Sequence, residues 1–179
     1  WSPEVINFFK LKDDSDKYVW NKKNLLRNAK FDNKKWKVLI VGDSNSADLL
    51  NTLLTLEGSE KISFSSLTIH AGCGPIFLEY EKYSNFIEEN KLADCRTADY
   101  LLSQKSLDLI KQADVVIFAA SWRNWYLKFM KESSLLLSQK FGDKFWWVGN
   151  KHIKFPDEHK LIKNNSIAIN FDYEPKTKT

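Results

Sequence analysis

Two cysteines (Cys73, Cys95) and three histidines (His70, His152, His159) are all the thiol and imidazole this 179-residue chain carries. There is no Cys-x-x-Cys, and the histidines do not join the cysteines at zinc-ligand spacing, which argues against a structural zinc module and a dithiol redox centre. No apolar run approaches the roughly 18 residues of a membrane-spanning helix, and no signal peptide is present. No Gly-rich, phosphate-cradling loop follows the first apolar run, which disfavours a nucleotide binder. Internal repeats and low-complexity tracts are also missing. The net charge is only +4, and its densest run is Lys34, Lys35 and Lys37 around Trp36. That scatter reads as a solvated surface, without the one-sided clustering of a nucleic-acid binder. It is compatible with a mild attraction to anionic glycans or lipid headgroups.

What is present suits one globular domain. Hydrophobic residues make up 43% and charged residues 28%, enough for a core that buries about two thirds of the unfolded surface. Aromatics reach 14%, with seven Trp. Most of these rings are assigned to the core, the alternative being a surface that stacks on sugar faces. The chain opens at Trp1 and stops in a Lys/Thr tail, and it is expected to be a piece of a longer protein.

Residues 1–33 read as a polar lead-in or linker, with turn-like clusters at Asp13–Asp16 and Asn21–Asn24 and one short helix. Residues 34–179 read as the α/β domain, expected to be incomplete at its C-terminus. Lys37–Val41 is a short β-branched run of the kind buried on both faces in a parallel sheet. Leu49, Leu50, Leu53 and Leu54 give Ala47–Leu56 a helical period. Further strands are expected at Ile62–His70, Asp114–Ala120, Phe145–Val148 and Ser166–Phe171, and helices at Ala98–Ala113 and Leu127–Lys140. Strand and helix in alternation imply right-handed βαβ units: a flavodoxin-like, three-layer α/β sandwich with a central parallel sheet. Ligand sites in such sheets lie beyond the carboxyl ends of the strands. The loops to watch are therefore Gly42–Ser46, Ala71–Pro75, Ser121–Trp125 and Gly149–Phe155.

In the first of these loops, Ser44 follows Gly42-Asp43 at the end of a buried strand and the start of a helix. A serine there exposes its Oγ, and its own N–H lies where a helix N-terminus stabilises a developing oxyanion. Ser44 or Asp43 as a plain N-cap is the competing explanation.

Lys37–Ser46 (KVLIVGDSNS), Cys73-Gly74-Pro75-Ile76, Cys95, Asp114–Trp122 (DVVIFAASW) and Phe145–Asn150 (FWWVGN) occur in that order. Together they resemble the SGNH (GDSL-like) hydrolases and acyltransferases, and within them the SGNH domains fused to acyltransferase-3 membrane proteins that O-acylate bacterial surface glycans. The resemblance covers roughly residues 36 to 156. It implies the SGNH hydrolase fold, Ser44 as nucleophile, and an oxyanion hole drawn from the N–H groups of Ser44 and of Gly72 or Gly74, with Asn124 as a possible side-chain donor. It implies that Asp43, Asn45 and Trp122 border the substrate; Trp122 either packs against the site wall or stacks on the acceptor sugar. It also implies a Cys73–Cys95 disulfide, which would pin the glycine loop beside the nucleophile. No metal and no cofactor are implied.

Two features depart from the family pattern. Asn45 stands where a His usually follows Gly-Asp-Ser. No Asp-x-x-His occurs; Asp157 and His159 are the nearest substitute dyad, and the family's own pair is expected beyond Thr179. A serine hydroxyl is a poor nucleophile until an oriented base takes its proton, so without that pair the site would bind but turn over poorly.

The expected function is O-acyl transfer, with acetyl the expected group, to hydroxyls of a bacterial surface polysaccharide or lipopolysaccharide through a Ser44 acyl-enzyme. The acyl donor would be delivered by a membrane acyltransferase domain and the glycan would be the acceptor; nucleic acid is not a partner. The expected location is extracytoplasmic, on the periplasmic or cell-surface side, tethered to the inner membrane through an N-terminal region. The rival expectations are an esterase on the same fold and a catalytically degenerate glycan-binding module.

Overall fold

The computed structural model describes residues 17–96 and 101–149. The chain divides by its internal packing into two units, and every described residue except 17 and 18 belongs to the one spanning Val19–Asn150. The expected strand at Ser166–Phe171 and the Asp157/His159 pair lie outside the described residues.

Four strands, β1 (Trp36–Gly42), β2 (Ile62–Thr68), β3 (Val115–Ala119) and β4 (Phe145–Val148), form one parallel sheet in the order β2-β1-β3-β4. β1 lies inside it and buries side chains on both faces. Val38 and Ile40 pack with Leu50 and Phe64 on one side. Leu39 and Val41 join Leu67, Val116, Phe118, Ile110 and Leu137 on the other. This alternation on a strand with no polar residue after Lys37 makes it the centre of a three-layer sandwich. Each fully buried Leu or Ile contributes about 1.5–3 kcal/mol.

The helices are α1 (residues 17–25), α2 (Ser44–Leu54), α3 (Tyr80–Tyr83), α4 (Leu92–Arg96), α5 (Gln104–Gln112) and α6 (Asn124–Phe141). Several differ from the sequence reading. α2 begins at Ser44 rather than Ala47, because the Asp43 carboxylate caps it by accepting from Asn45 N. α5 begins at Gln104 rather than Ala98, where the Ser103 hydroxyl accepts from Ser106 N. α6 starts at Asn124, three residues before the expected Leu127.

The largest difference is at Asn21–Asn24, expected as a turn and found inside α1. Tertiary contacts override the weak helix propensity of the asparagines. Lys23 of α1 is fully buried, and Asn51 of α2 donates to Val19 O at 3.2 Å. After α1 the chain runs along β2: Ser66 N donates to Leu26 O and Asn28 N donates to Ser66 O, both at 2.9 Å. Phe31 then enters the core at 8% exposure. Residues 19–33, read as lead-in, thus pack within the same unit as the sheet.

Cys73 and Cys95, both buried, are joined in a disulfide across 22 positions of sequence. It ties the loop after β2 to α4. On the chain-entropy account a loop of this length stabilises by about 3 kcal/mol. Replacing both cysteines by serine is expected to lower the unfolding free energy by about that amount, read from urea unfolding as a lower midpoint with a slope that rises as the freed unfolded chain expands.

Candidate functional site

The site grows from the carboxyl end of β1. Gly42 has φ +146°, and a Cβ there would lie 1.9 Å from Ala119 O of β3. Only glycine lets the two strand ends close so tightly. Asp43 follows, 5% exposed. Its Oδ1 accepts from Asn45 N at 3.0 Å and its Oδ2 from Ser121 N at 2.8 Å. One carboxylate therefore caps α2 and fastens the loop after β3 to the turn after β1. Between these anchors Ser44 is exposed as the first residue of α2, and Asn45 is half-buried.

The second loop follows β2. Gly42 pairs with Thr68 in the β1–β2 register, and Ile69 N donates to Gly42 O at 2.9 Å. His70 stands two residues beyond that pairing, as Ser44 does on β1. Its Nδ1 accepts from Gly72 N at 3.1 Å, so in the neutral ring the proton sits on Nε2. Gly74 has φ +71°, and a Cβ there would meet the Tyr126 ring at 2.8 Å. Tyr126, buried in the first turns of α6, donates its hydroxyl to Ala71 O. Burial pushes its pKa up to about 12, with a backbone hydrogen bond from Gly74 opposing the rise. Gly72 and Gly74 are thus held inside their own loop, one by His70 and the other by Tyr126.

The third loop is built on β3. Ser121 N is held by Asp43, and the Trp122 indole Nε1 donates to Val148 O at the end of β4, at 2.5 Å. The Trp122 ring lies 5.7 Å from that of Trp147. Trp122 therefore acts as a wall joining β3 and β4. Asn124 is exposed at the start of α6, and Arg123 beside it pairs with Glu88 at 2.5 Å.

The structure gathers Asp43, Ser44, Asn45, Gly72, Gly74, Trp122 and Asn124 on loops that leave adjacent strand ends. Asp43 has both oxygens on backbone N–H groups, so its geometry is that of a brace. Asp157 and His159 lie outside the described residues. Among the described residues no group of three or more His, Cys, Asp or Glu could hold a metal ion.

Lys23 escaped the sequence reading. Its Nζ donates to Gly42 O and Asp43 O at 2.7 Å each and to Ser46 Oγ at 2.5 Å. Burial pulls its pKa from 10.5 down to about 7; Asp43 counters this and Arg27 adds to it. No residue pattern signals this lysine, which sits in a polar stretch like many surface lysines. His70 could have been found by counting two residues past the strand end, as for Ser44.

A family model described as the SGNH domain fused to AT3 domains matches residues 12–159. No curated protein and no solved structure matches the chain.

The Asp43 brace makes a specific prediction. In Asp43→Asn, an amide nitrogen replaces one of the two accepting oxygens, so either Asn45 N or Ser121 N loses its partner. A loss of about 1–3 kcal/mol in unfolding free energy is expected. Amide exchange at Ser121 or Asn45 should accelerate while exchange in Val38–Val41 stays slow.

Proposed function

The chain belongs to the SGNH domain family found fused to AT3 domains, and from that membership we propose that it carries acyl groups on Ser44 and passes them to hydroxyls of a glycan. The observation that carries this reading is the exposed Ser44 at the first position of α2, directly behind a buried strand, on a turn locked by Asp43.

In the first half-reaction Ser44 Oγ attacks the acyl carbonyl of a donor ester or thioester supplied by a membrane acyltransferase domain. The Oγ–acyl bond forms, the donor's C–O or C–S bond breaks, and the Ser44 proton passes by way of a general base to the leaving group. The transient oxyanion accepts from the Ser44 N–H at the helix start. In the second half-reaction a sugar hydroxyl attacks the acyl-enzyme, the new ester leaves, and the proton returns to Ser44 Oγ. The base in this reading is an imidazole oriented by a carboxylate, supplied by an Asp-x-x-His in further chain or by Asp157 and His159. Gly72 and Gly74 would add oxyanion donors by exchanging the partners they now hold. Asn124 would add a side-chain oxyanion donor, and Trp122 would border the acceptor, which we take to be a bacterial surface polysaccharide, with acetyl as the acyl group.

The disulfide supports an extracytoplasmic location, since such bridges persist in oxidising compartments. The association of this family with AT3 domains supports transfer over hydrolysis.

Incubation with p-nitrophenyl acetate followed by intact-mass measurement tests the reading. An acetyl adduct on the wild type and none on Ser44→Ala is the expected outcome. An equal adduct on both proteins would remove Ser44 from the chemistry. An adduct cleared rapidly by water and not by added glycan would favour an esterase.

A further inference from the structure

The buried lysine under the Ser44 turn has a chemistry that a packing role does not explain. Lys23 Nζ has three hydrogens and three acceptors: Gly42 O, Asp43 O and Ser46 Oγ. Each acceptor already has a role without it. Gly42 O receives Ile69 N, Asp43 O receives both Ser46 N and Ser46 Oγ, and Ser46 Oγ donates its own hydrogen to Asp43 O. Removing the ammonium would leave no carbonyl of the turn unpaired. Yet burying a charge is costly, and the neighbouring Asp43 carboxylate, which favours the Lys23 charge, already has both its oxygens on backbone N–H groups. The turn can do without Lys23 for its hydrogen bonding, so its presence calls for another account.

A serine–lysine dyad is not that account. Ser46, the serine in contact with Lys23, has no exposed surface, and no substrate reaches its Oγ. What Lys23 does reach is the Asp43 carbonyl. That carbonyl and the Ser44 N–H belong to one peptide unit. A cation on the oxygen draws electron density through the amide and makes the N–H at its other end a stronger donor.

Resting on the reading of Ser44 as nucleophile, we propose that Lys23 is a positioning residue whose ammonium polarises the Asp43–Ser44 peptide and so strengthens the Ser44 N–H toward an acyl oxyanion. The charged groups acting on it are the Asp43 carboxylate, which favours its charge, and Arg27, which opposes it. The Trp20 ring centroid lies 5.2 Å from Nζ. The folded pKa of about 7 lies below the ordinary 10.5. The unfolded chain therefore binds more protons between these values, and the lysine's contribution to stability worsens as pH falls toward 7 and is constant below it. The polarising effect has the opposite dependence, full below pH 7 and fading above it.

Lys23→Met separates these effects. The variant also removes the cation beside the buried Asp43 carboxylate, so its urea midpoint is measured alongside and rates are compared where both proteins are fully folded. Its Ser44-dependent acylation by p-nitrophenyl acetate should fall by about tenfold or more below pH 7. The wild-type to variant rate ratio, which cancels the shared pH dependence of ester and base, should shrink as pH rises through about 7. Lys23→Cys alkylated with 2-bromoethylamine under denaturing, non-reducing conditions and refolded restores an ammonium at the same reach, and it should restore the rate. A Lys23→Met protein acylating at the wild-type rate overturns the proposal. So does one that loses stability and activity together with a ratio flat in pH, which is a structural role.

The Ser44 amide proton shift, followed by NMR, gives a readout that needs no turnover. It should titrate with a midpoint near 7 in wild type and not in Lys23→Met. If neither protein, each extended through the chain that supplies the Asp-x-x-His, shows Ser44-dependent acylation while this titration is present, the nucleophile reading fails and what stands is the polarisation of the Ser44 N–H by Lys23. If the shift is flat in wild type, the lysine inference fails.

Discussion

One buried carboxylate sets the geometry of this molecule's working end. Asp43 bonds Asn45 N with one oxygen and Ser121 N with the other, so the start of α2 and the loop after β3 cannot move independently. The contact is possible because Gly42 lets β1 close against Ala119 O, where any Cβ would collide. Charge-assisted bonds to backbone N–H groups are among the stronger ones a protein makes, and both here are partly buried. The exposed position of Ser44 is a consequence: with its neighbours pinned on either side, the serine is left at the surface of a turn that has no freedom to fold over it.

The glycine loop follows a different logic. Its N–H groups are engaged by His70 and Tyr126, with a disulfide at its centre. A loop so held keeps its shape in the absence of ligand, at the cost of presenting donors that already have partners. Pre-organisation is thus complete at the serine turn and conditional at the glycine loop. If the proposed acyl transfer holds, that division leaves the Ser44 N–H ready as an oxyanion donor and the glycine N–H groups in need of a change of partner.

Much of this was legible in the residues. Lys37–Val41 had the pattern of a strand buried on both faces, and the alternation of strand and helix implied the parallel sheet. Gly42-Asp43-Ser44 announced the turn, and the family resemblance implied the Cys73–Cys95 bridge. The boundaries shifted where a single side chain decided them: Asp43 moved the start of α2 back to Ser44, and Ser103 moved the start of α5 forward to Gln104. The double role of Asp43 was not legible, since its second partner is 78 positions away. Lys23 was the least legible of all. A lysine among asparagines carries every local sign of a solvated turn, and its burial exists only because α1 packs against a strand end formed later in the chain. Local pattern reports propensity; a buried cation is fixed by what surrounds it in three dimensions.

The strip at Leu26–Asn28 has a consequence for how this domain can be cut. Among the described residues, in the order β2-β1-β3-β4, β2 has only one strand neighbour, and without residues 26–28 its other side would display unpaired backbone. Those three residues lie along it as a short parallel rail centred on the Arg27–Ser66 bridge. A protein trimmed to begin at β1, where the apolar pattern first becomes obvious, would lose that rail and bare the rim of the sheet to other chains. Open rims of this kind template intermolecular pairing. The polar stretch before β1 is therefore a guard against self-association, and the proper boundary of the folded unit lies well upstream of its first strand.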